Sequence, residues 1–330
     1  MTGREDEPIV EVGDPGYGPG MDPTETETAH VDTAVEGIAW APVTPRPPDA
    51  GDLAFIDGVQ QIEAWLTITV PGSPGVGTGL ACAVAAGVVV ASPGQRARIA
   101  QTRVRRLVMA TGDRALTLPA VGGFGWETRT AAGWEASALQ RQVGTARQEL
   151  EHTLAEAHAG PDRMLVLDGR LSFLRDAPGP VVGAIKSHHR MYLQPGAAEV
   201  VSRLGVGQRT PLFAIGEDRF SWYQRLPVAH VRGWAGILRG EVARAHGIAR
   251  ARELADRAAA VLPHYAGREH RDPRAPQNLA PIAGLEERLR HRLGDRRLAL
   301  RAVRRASAGA RLDAVAVPVA VSEPEAEAAA

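Results

Sequence analysis

"RMLVLDG", residues 163–169, is a short apolar run that closes on an aspartate and a glycine, and its reading decides the fold. Apolar residues in succession, without the alternation of a half-exposed strand, mark a strand covered on both faces. The aspartate then falls where a buried sheet opens to solvent, and the glycine lets the chain turn and a ligand approach closely. The same ending recurs upstream in "LAFIDG", residues 53–58. Taken singly, an Asp-Gly after a strand is most often only a turn. As a pair on neighbouring strands, Asp57 and Asp168 would converge at a distance that a cation or a shared proton makes tolerable.

Working outward, "SALQRQVGTARQELEHTLAEAHAG" (137–160) places Val143, Ala146, Leu150, Leu154 and Ala157 on one helical face, and Gly160-Pro161 stops the helix. Glu149 and Glu151 each lie roughly 100° from the centre of that face by the helical period. Either can supply a third carboxylate to the edge of the sheet, and periodicity does not choose between them. After Asp168 comes a further strand, "GPVVGAIKS" (179–187). Upstream, "VQQIEAWLTITV" (59–70) reads as a second strand separate from 53–58, with Glu63 as a solvent-facing partner of arginines. "LACAVAAGVVVA" (80–91) and "RRLVMAT" (105–111) are further strands. "TPLFAIG", "RFSWYQRLP" and "WAGILRGEV" suggest a later antiparallel set, and helices over 246–262, 278–293 and 296–307 close the chain. In "RFSWYQR", Arg219 and Arg225 flank Phe220, Trp222 and Tyr223, which offers a stacking platform for bases or, more simply, core.

The formal net charge of zero hides a partition. Residues 1–52 carry 12 acids against Arg4 and Arg46, and the ending adds Glu323, Glu325 and Glu327, which leaves 36 basic and 23 acidic residues between 53 and 313. A basic body with acidic ends suits a polyanionic partner. Residues 1–48, rich in Pro, Gly, Thr and acids, read as a disordered arm, residues 314–330 as a disordered tail, and 49–313 as one folded domain. No run is apolar and long enough to span a bilayer, and the acidic start is unlike a signal peptide. Cys82 is the sole cysteine, which excludes a disulfide within the chain and argues against a thiolate zinc site. The expected compartment is the cytoplasm.

Two residues persist against the composition. Lys186 is the single lysine among 38 basic residues, and Asn278 is the single asparagine. A compact ammonium can approach one phosphate oxygen as a point charge, where a guanidinium prefers a fork. His188, His189 and Arg190 follow Lys186 and suit contacts to a DNA backbone. Asn278 can cap the helix that follows it or face a site.

The order "FIDGV", a helix carrying glutamate, "LVLDGRLS" and then "AIKSHH" resembles the NurA nuclease family over about residues 53–295. The resemblance implies an α/β fold of the ribonuclease H type, a mixed sheet flanked by helices. It implies a DNA nuclease for end processing or repair that uses Mn²⁺ or Mg²⁺, works with a HerA-type hexameric ATPase and forms a homodimer. Carried over residue by residue, Asp57, Glu149 or Glu151, Asp168 and Lys186 match the family's motif residues. The family's last metal ligand, a histidine in a C-terminal helix, has no clear counterpart in "EHRDPRAPQNLAPIAGLEERL". Asp272, Asn278 and His270 are the polar candidates there. The expectations are therefore Asp57, Glu149, Asp168 and Lys186 as catalytic residues, and Asp57, Glu149, Glu151, Asp168 and Asp272 as metal ligands. Lys186, His188, His189, Arg190 and Asn278 are expected on DNA. The alternative is a non-catalytic DNA-binding or ATPase-adaptor protein that keeps the fold.

Overall fold

Long apolar segments pair into a large mixed sheet with helices against it. The computed structural model describes residues 30–46, 51–69, 76–112, 114–131, 133, 135–171, 179–188, 191–268 and 270–314. In chain order the first elements are β1 (Val31–Asp32), β2 (Asp52–Thr69), β3 (Val76–Ala91), β4 (Arg98–Thr111), β5 (Arg114–Thr117) and β6 (Glu127–Ala131). Then come α1 (Ala136–His158), β7 (Arg163–Asp168), β8 (Val181–Ile185), α2 (Pro195–Ser202) and β9 (Phe213–Ile215). β10 (Arg219–Arg225), β11 (Ile237–Ala243), α3 (Gly247–Val261), α4 (Ala280–Leu293), α5 (Arg296–Ala306) and β12 (Arg311–Ala314) complete the chain. The chain divides into two compact units, one of residues up to 59, 85–103 and 148–292, the other of 60–84, 104–147 and 293 onward. Among the described residues no helix is long and apolar enough to cross a membrane.

The first unit holds the strand order β1-β9-β10-β11-β8-β7-β2-β3-β4. β2, β7 and β8 are parallel neighbours, and β8 meets β11 antiparallel, with Ile185 opposite Arg239. Their residues are buried on both faces, from Leu53 to Ile56 and from Met164 to Leu167, as an apolar run without alternation requires. The expected antiparallel set is present as β9, β10 and β11. Its aromatics are core: Trp222 and Tyr223 are fully buried, and a Cβ on Gly240, the residue opposite Trp222, would lie 2.2 Å from the indole. The glycine is what lets the ring lie across β11. Arg225 is also fully buried and donates to the carbonyls of Leu204 and Gly233 at 2.6 and 2.8 Å. The stacking-platform reading of 219–225 is therefore corrected: none of these rings is open to a base. α3 packs on β10 and β11, and α4 reaches β3, where a Cβ on Gly87 would meet Leu285 at 2.8 Å.

The disordered arm expected through residue 48 is also corrected. Residues 30–46 are placed: β1 pairs with β9, and Val43 and Arg209 exchange backbone hydrogen bonds at 2.8 and 3.0 Å. Glu36 receives both terminal nitrogens of buried Arg209 at 2.8 and 2.9 Å and the Leu212 N–H at 2.6 Å. Asp256 takes Arg209 Nε at 2.6 Å. Burial alone would raise the Glu36 pKa, but Arg209 and the Leu212 N–H outweigh it and hold it below the ordinary value. The parts of the expected arm and tail at 1–29, 47–48 and 315–330 lie outside the described residues.

In the second unit β2, β3, β4 and β6 are adjacent, and β5 pairs antiparallel with β12. Ala64, Ala81, Val108, Ala110, Leu116, Leu118 and Trp126 pack with Ala302, Val303 and Ala306 of α5. Asp295 caps α5, accepting from the N–H groups of Arg297 at 2.6 Å and Leu298 at 3.0 Å. Two sequence readings change here. The strands expected at 53–58 and from 59 onward are one, since β2 runs unbroken through Gly58 to Thr69. Glu63 faces inward, 2% exposed, and accepts from Arg106 Nε at 3.0 Å and Trp126 Nε1 at 3.1 Å. Cys82 is fully buried, and burial, with the nearby Glu63 charge, pushes its thiol pKa up to about 12.

Candidate active site at the ends of three parallel strands

Register puts the two aspartates side by side. In the β2–β7 pair Ile56 stands opposite Leu167, so Asp57 and Asp168 are the next residues of adjacent parallel strands. β8 continues the set, with Ala184 opposite Asp168 and Lys186 one residue beyond the strand. Parallel strands aim their carboxyl ends the same way, which is where ligands of open α/β sheets bind. Two glycines permit the approach. Gly169 has a φ of +104°, and a Cβ on Gly183 would lie 2.7 Å from the Gly169 carbonyl oxygen. The Gly169 N–H donates to the Ala184 carbonyl at 2.9 Å and closes the turn after Asp168.

Asp57 is 7% exposed, and its Oδ1 accepts from the Gly58 N–H at 2.7 Å. Burial, then the charge of Asp168 and that of Glu151, push its pKa well above the ordinary aspartate range against the opposing pull of Lys186 and the Gly58 N–H. Of the two helix acids left open by periodicity, Glu151 is the one whose charge acts on Asp57. Glu149 is half-buried one position before Leu150 of the buried face, and its backbone carbonyl accepts from Thr153 Oγ1 at 2.8 Å. That face ends on Leu154 and Ala155, while Ala157 is exposed.

Lys186 Nζ donates to Asp168 Oδ2 and to Asn278 Oδ1, both at 2.6 Å. The Asn278 amide is fully buried, and its Nδ2 donates to Asp272 Oδ2. Both ends of the amide thus serve the site. Asp272 Oδ1 accepts from the backbone N–H of Arg274 at 2.8 Å and from its Nε at 3.3 Å. Burial opposes ionisation of Asp272, but these donors and the Asn278 amide outweigh it and lower its pKa. Arg274 Nη2 goes on to Glu286 Oε2 at 2.7 Å, and Glu286 Oε1 accepts from Arg290 at 2.6 Å. The loop is seated by Gly267, whose N–H donates to the Pro276 carbonyl at 3.0 Å and where a Cβ would fall 2.4 Å from the Asn278 oxygen.

The structure therefore brings together Asp57, Asp168, Lys186, Asn278 and Asp272, with Glu151 acting on Asp57 through its charge. His188 is placed elsewhere: Nε2 lies 2.9 Å from the Ile237 carbonyl, and the ring packs beside Tyr223 and Trp234. There it packs at the end of β8. His189 and Arg190 lie outside the described residues. His270 is exposed. Asp272 accepts from Asn278 and Arg274. Sequence reading missed Arg274 and Glu286, hidden among abundant charges, and buried Glu241, which accepts from the Leu171 N–H at 2.8 Å and from Arg239 at 3.2 Å. A glutamate inside the otherwise covered strand 237–243 was the signal for the last. No protein-family model matches this chain, and no curated protein matches it.

Proposed function

We propose that the chain is a metal-dependent DNA nuclease that hydrolyses phosphodiester bonds, with its site at Asp57, Glu151, Asp168 and Lys186. The observation that carries this reading is the pairing of Asp57 with Asp168 in register at the ends of adjacent parallel strands, where burial and like charge make ionised Asp57 costly. A hard divalent cation relieves that cost, and carboxylate oxygens are the donors such a cation takes. The residues fit it in kind. Among the described residues no three His, Cys, Asp or Glu side chains already meet as a ligand cluster, and the positive charge on Asp168 comes from Lys186.

Asp57, Asp168 and Glu151 would hold Mn²⁺ or Mg²⁺. Bound there, the ion supplies activation of the attacking water and neutralises charge on the phosphate. Lys186 contributes a compact cation that can turn from Asp168 to a phosphate oxygen. The surplus of basic residues over 53–313 favours DNA as the polyanion. The resemblance to the NurA family supports a ribonuclease H-like version of the mixed sheet, a role in DNA end processing or repair in the cytoplasm, a HerA-type ATPase partner and a homodimer. One observation favours the second reading, a non-catalytic DNA-binding or adaptor protein: Lys186 already neutralises Asp168 at 2.6 Å.

Mn²⁺ titration by calorimetry, paired with a gel assay on linear DNA, tests the proposal. The parent is expected to bind Mn²⁺ saturably and to cut, and Asp57→Asn to do neither while remaining folded. A parent that neither binds Mn²⁺ at millimolar concentration nor cuts any DNA form leaves the adaptor reading standing.

A further inference from the structure

We propose that Asn278 and Asp272 are positioning residues that hold the Lys186 ammonium at the site without adding negative charge to it. The inference rests on the nuclease reading for its catalytic consequence, but its structural content stands on hydrogen bonds alone.

The site's charge is already unfavourable to a phosphodiester. Asp168 is bonded to Lys186, and the charges of Asp168 and Glu151 both act on Asp57, so an incoming anion meets negative potential. An ammonium held only by Asp168 would be loosened as soon as a cation competed for that carboxylate. Asn278 answers this with a neutral acceptor at 2.6 Å. A primary amide also donates from its other end, so one side chain can bridge an ammonium and a carboxylate, which neither Asp nor Lys can do. Asp272 fixes which way the amide faces, because its Oδ2 accepts from Asn278 Nδ2 and leaves Oδ1 for Lys186. The carboxylate is thus kept one residue back from the ammonium and is itself answered by Arg274, which Glu286 and Arg290 follow in alternating sign. Of the ammonium's three N–H groups, Asp168 and Asn278 take two among the described residues. The third is left for a phosphate oxygen or a water.

This accounts for both rare residues at once. In a chain whose other 37 basic residues are arginine, the lysine and the asparagine are partners in one hydrogen bond. It also reassigns Asp272 from ligand to second support of the ammonium.

The single lysine makes the test specific. Full-length protein grown with ζ-¹⁵N-lysine has one Nζ resonance, that of Lys186. In the parent its N–H protons are expected to be protected from solvent exchange and visible. In Asn278→Leu and in Asp272→Ala protection should fall at least about tenfold, and in Asp272→Asn, which keeps an acceptor for the amide, it should fall less. On linear DNA, Asp272→Ala is expected to lower kcat about tenfold with KM changed less than about twofold. Its Mn²⁺-induced rise in melting temperature should be retained. A parent with no protected Nζ signal, or a signal unchanged in both Asn278→Leu and Asp272→Ala, overturns the clamp. Loss of the Mn²⁺-induced rise in Asp272→Ala also overturns it, by making Asp272 a ligand. If the parent cuts no DNA, the nuclease reading fails while the Nζ resonance still decides the clamp.

Discussion

Asp57 lies in a conflict that the fold imposes on it. It is the residue after four buried strand residues, beside Asp168 in the next strand, and burial followed by that neighbouring charge raises its pKa. A carboxyl whose pKa is higher in the folded chain binds its proton more tightly there than in the unfolded chain. Stability is then full below the unfolded aspartate value of ~3.9 and declines as pH rises toward the elevated folded value. Asp57→Asn removes this slope. In chelator, its gain in melting temperature over the parent should be near zero at about pH 4 and should grow toward neutral pH. Thermal scans across that range check it, and a gain independent of pH would mean that the folded chain does not raise the Asp57 pKa. A cation bound by ionised Asp57 would also displace a proton. Calorimetry of Mn²⁺ binding in buffers of different ionisation enthalpy should register the release. Both aspartates were legible in the sequence because the same apolar-run-then-Asp-Gly ending occurs on two strands. The partners of Lys186 were legible only as oddities: rarity pointed to Asn278, but nothing local showed that its amide bridges Lys186 and Asp272.

At the scale of elements, β2 and the segment 30–46 show why local pattern misleads. Asp57-Gly58 reads as a turn, yet the strand continues through it to Thr69, because the Asp57 side chain takes the Gly58 N–H and β3 runs beside β2 in the sheet. Sheet pairing outweighs the turn preference of two residues. Glu63 was assigned to solvent by alternation, and it is Arg106 and Trp126, 43 and 63 residues away in sequence, that make an inward carboxylate tolerable. The acidic composition of the N-terminal region likewise concealed Glu36, whose partners Arg209 and Leu212 lie more than 170 residues on. Breaking such a buried pair leaves a charge uncompensated, and Asp256 alone then faces Arg209. Glu36→Gln is expected to cost about 3 kcal/mol of unfolding free energy, read from denaturant curves. A loss under about 0.5 kcal/mol would show that the strap formed by 30–46 is not held by this pair. The long helices were legible within about two residues at each end. The two-residue β1 and the pairing of β5 with β12 were not, because their register comes from distant chain.

At the scale of the whole molecule, neutrality is a sum of unlike parts, and the described body carries the basic share. The number of units was not legible, since β2, β3, β4 and α1 each contribute residues to both and no linker marks the boundary. Buried Cys82 belongs to the second unit, and its thiol pKa is pushed up to about 12. Thiolate is the reactive form, so the folded chain withholds its only thiol twice, by access and by ionisation. Alkylation at neutral pH should therefore proceed at the rate or equilibrium of opening around β3, and Leu116→Ala, in the core cluster that contains Ala81, should speed it at least tenfold while leaving the Nζ signal of Lys186 in place. Labelling followed by mass spectrometry reads it directly. With the one thiol in the second unit and the one lysine in the first, the chain carries a separate natural reporter for each unit.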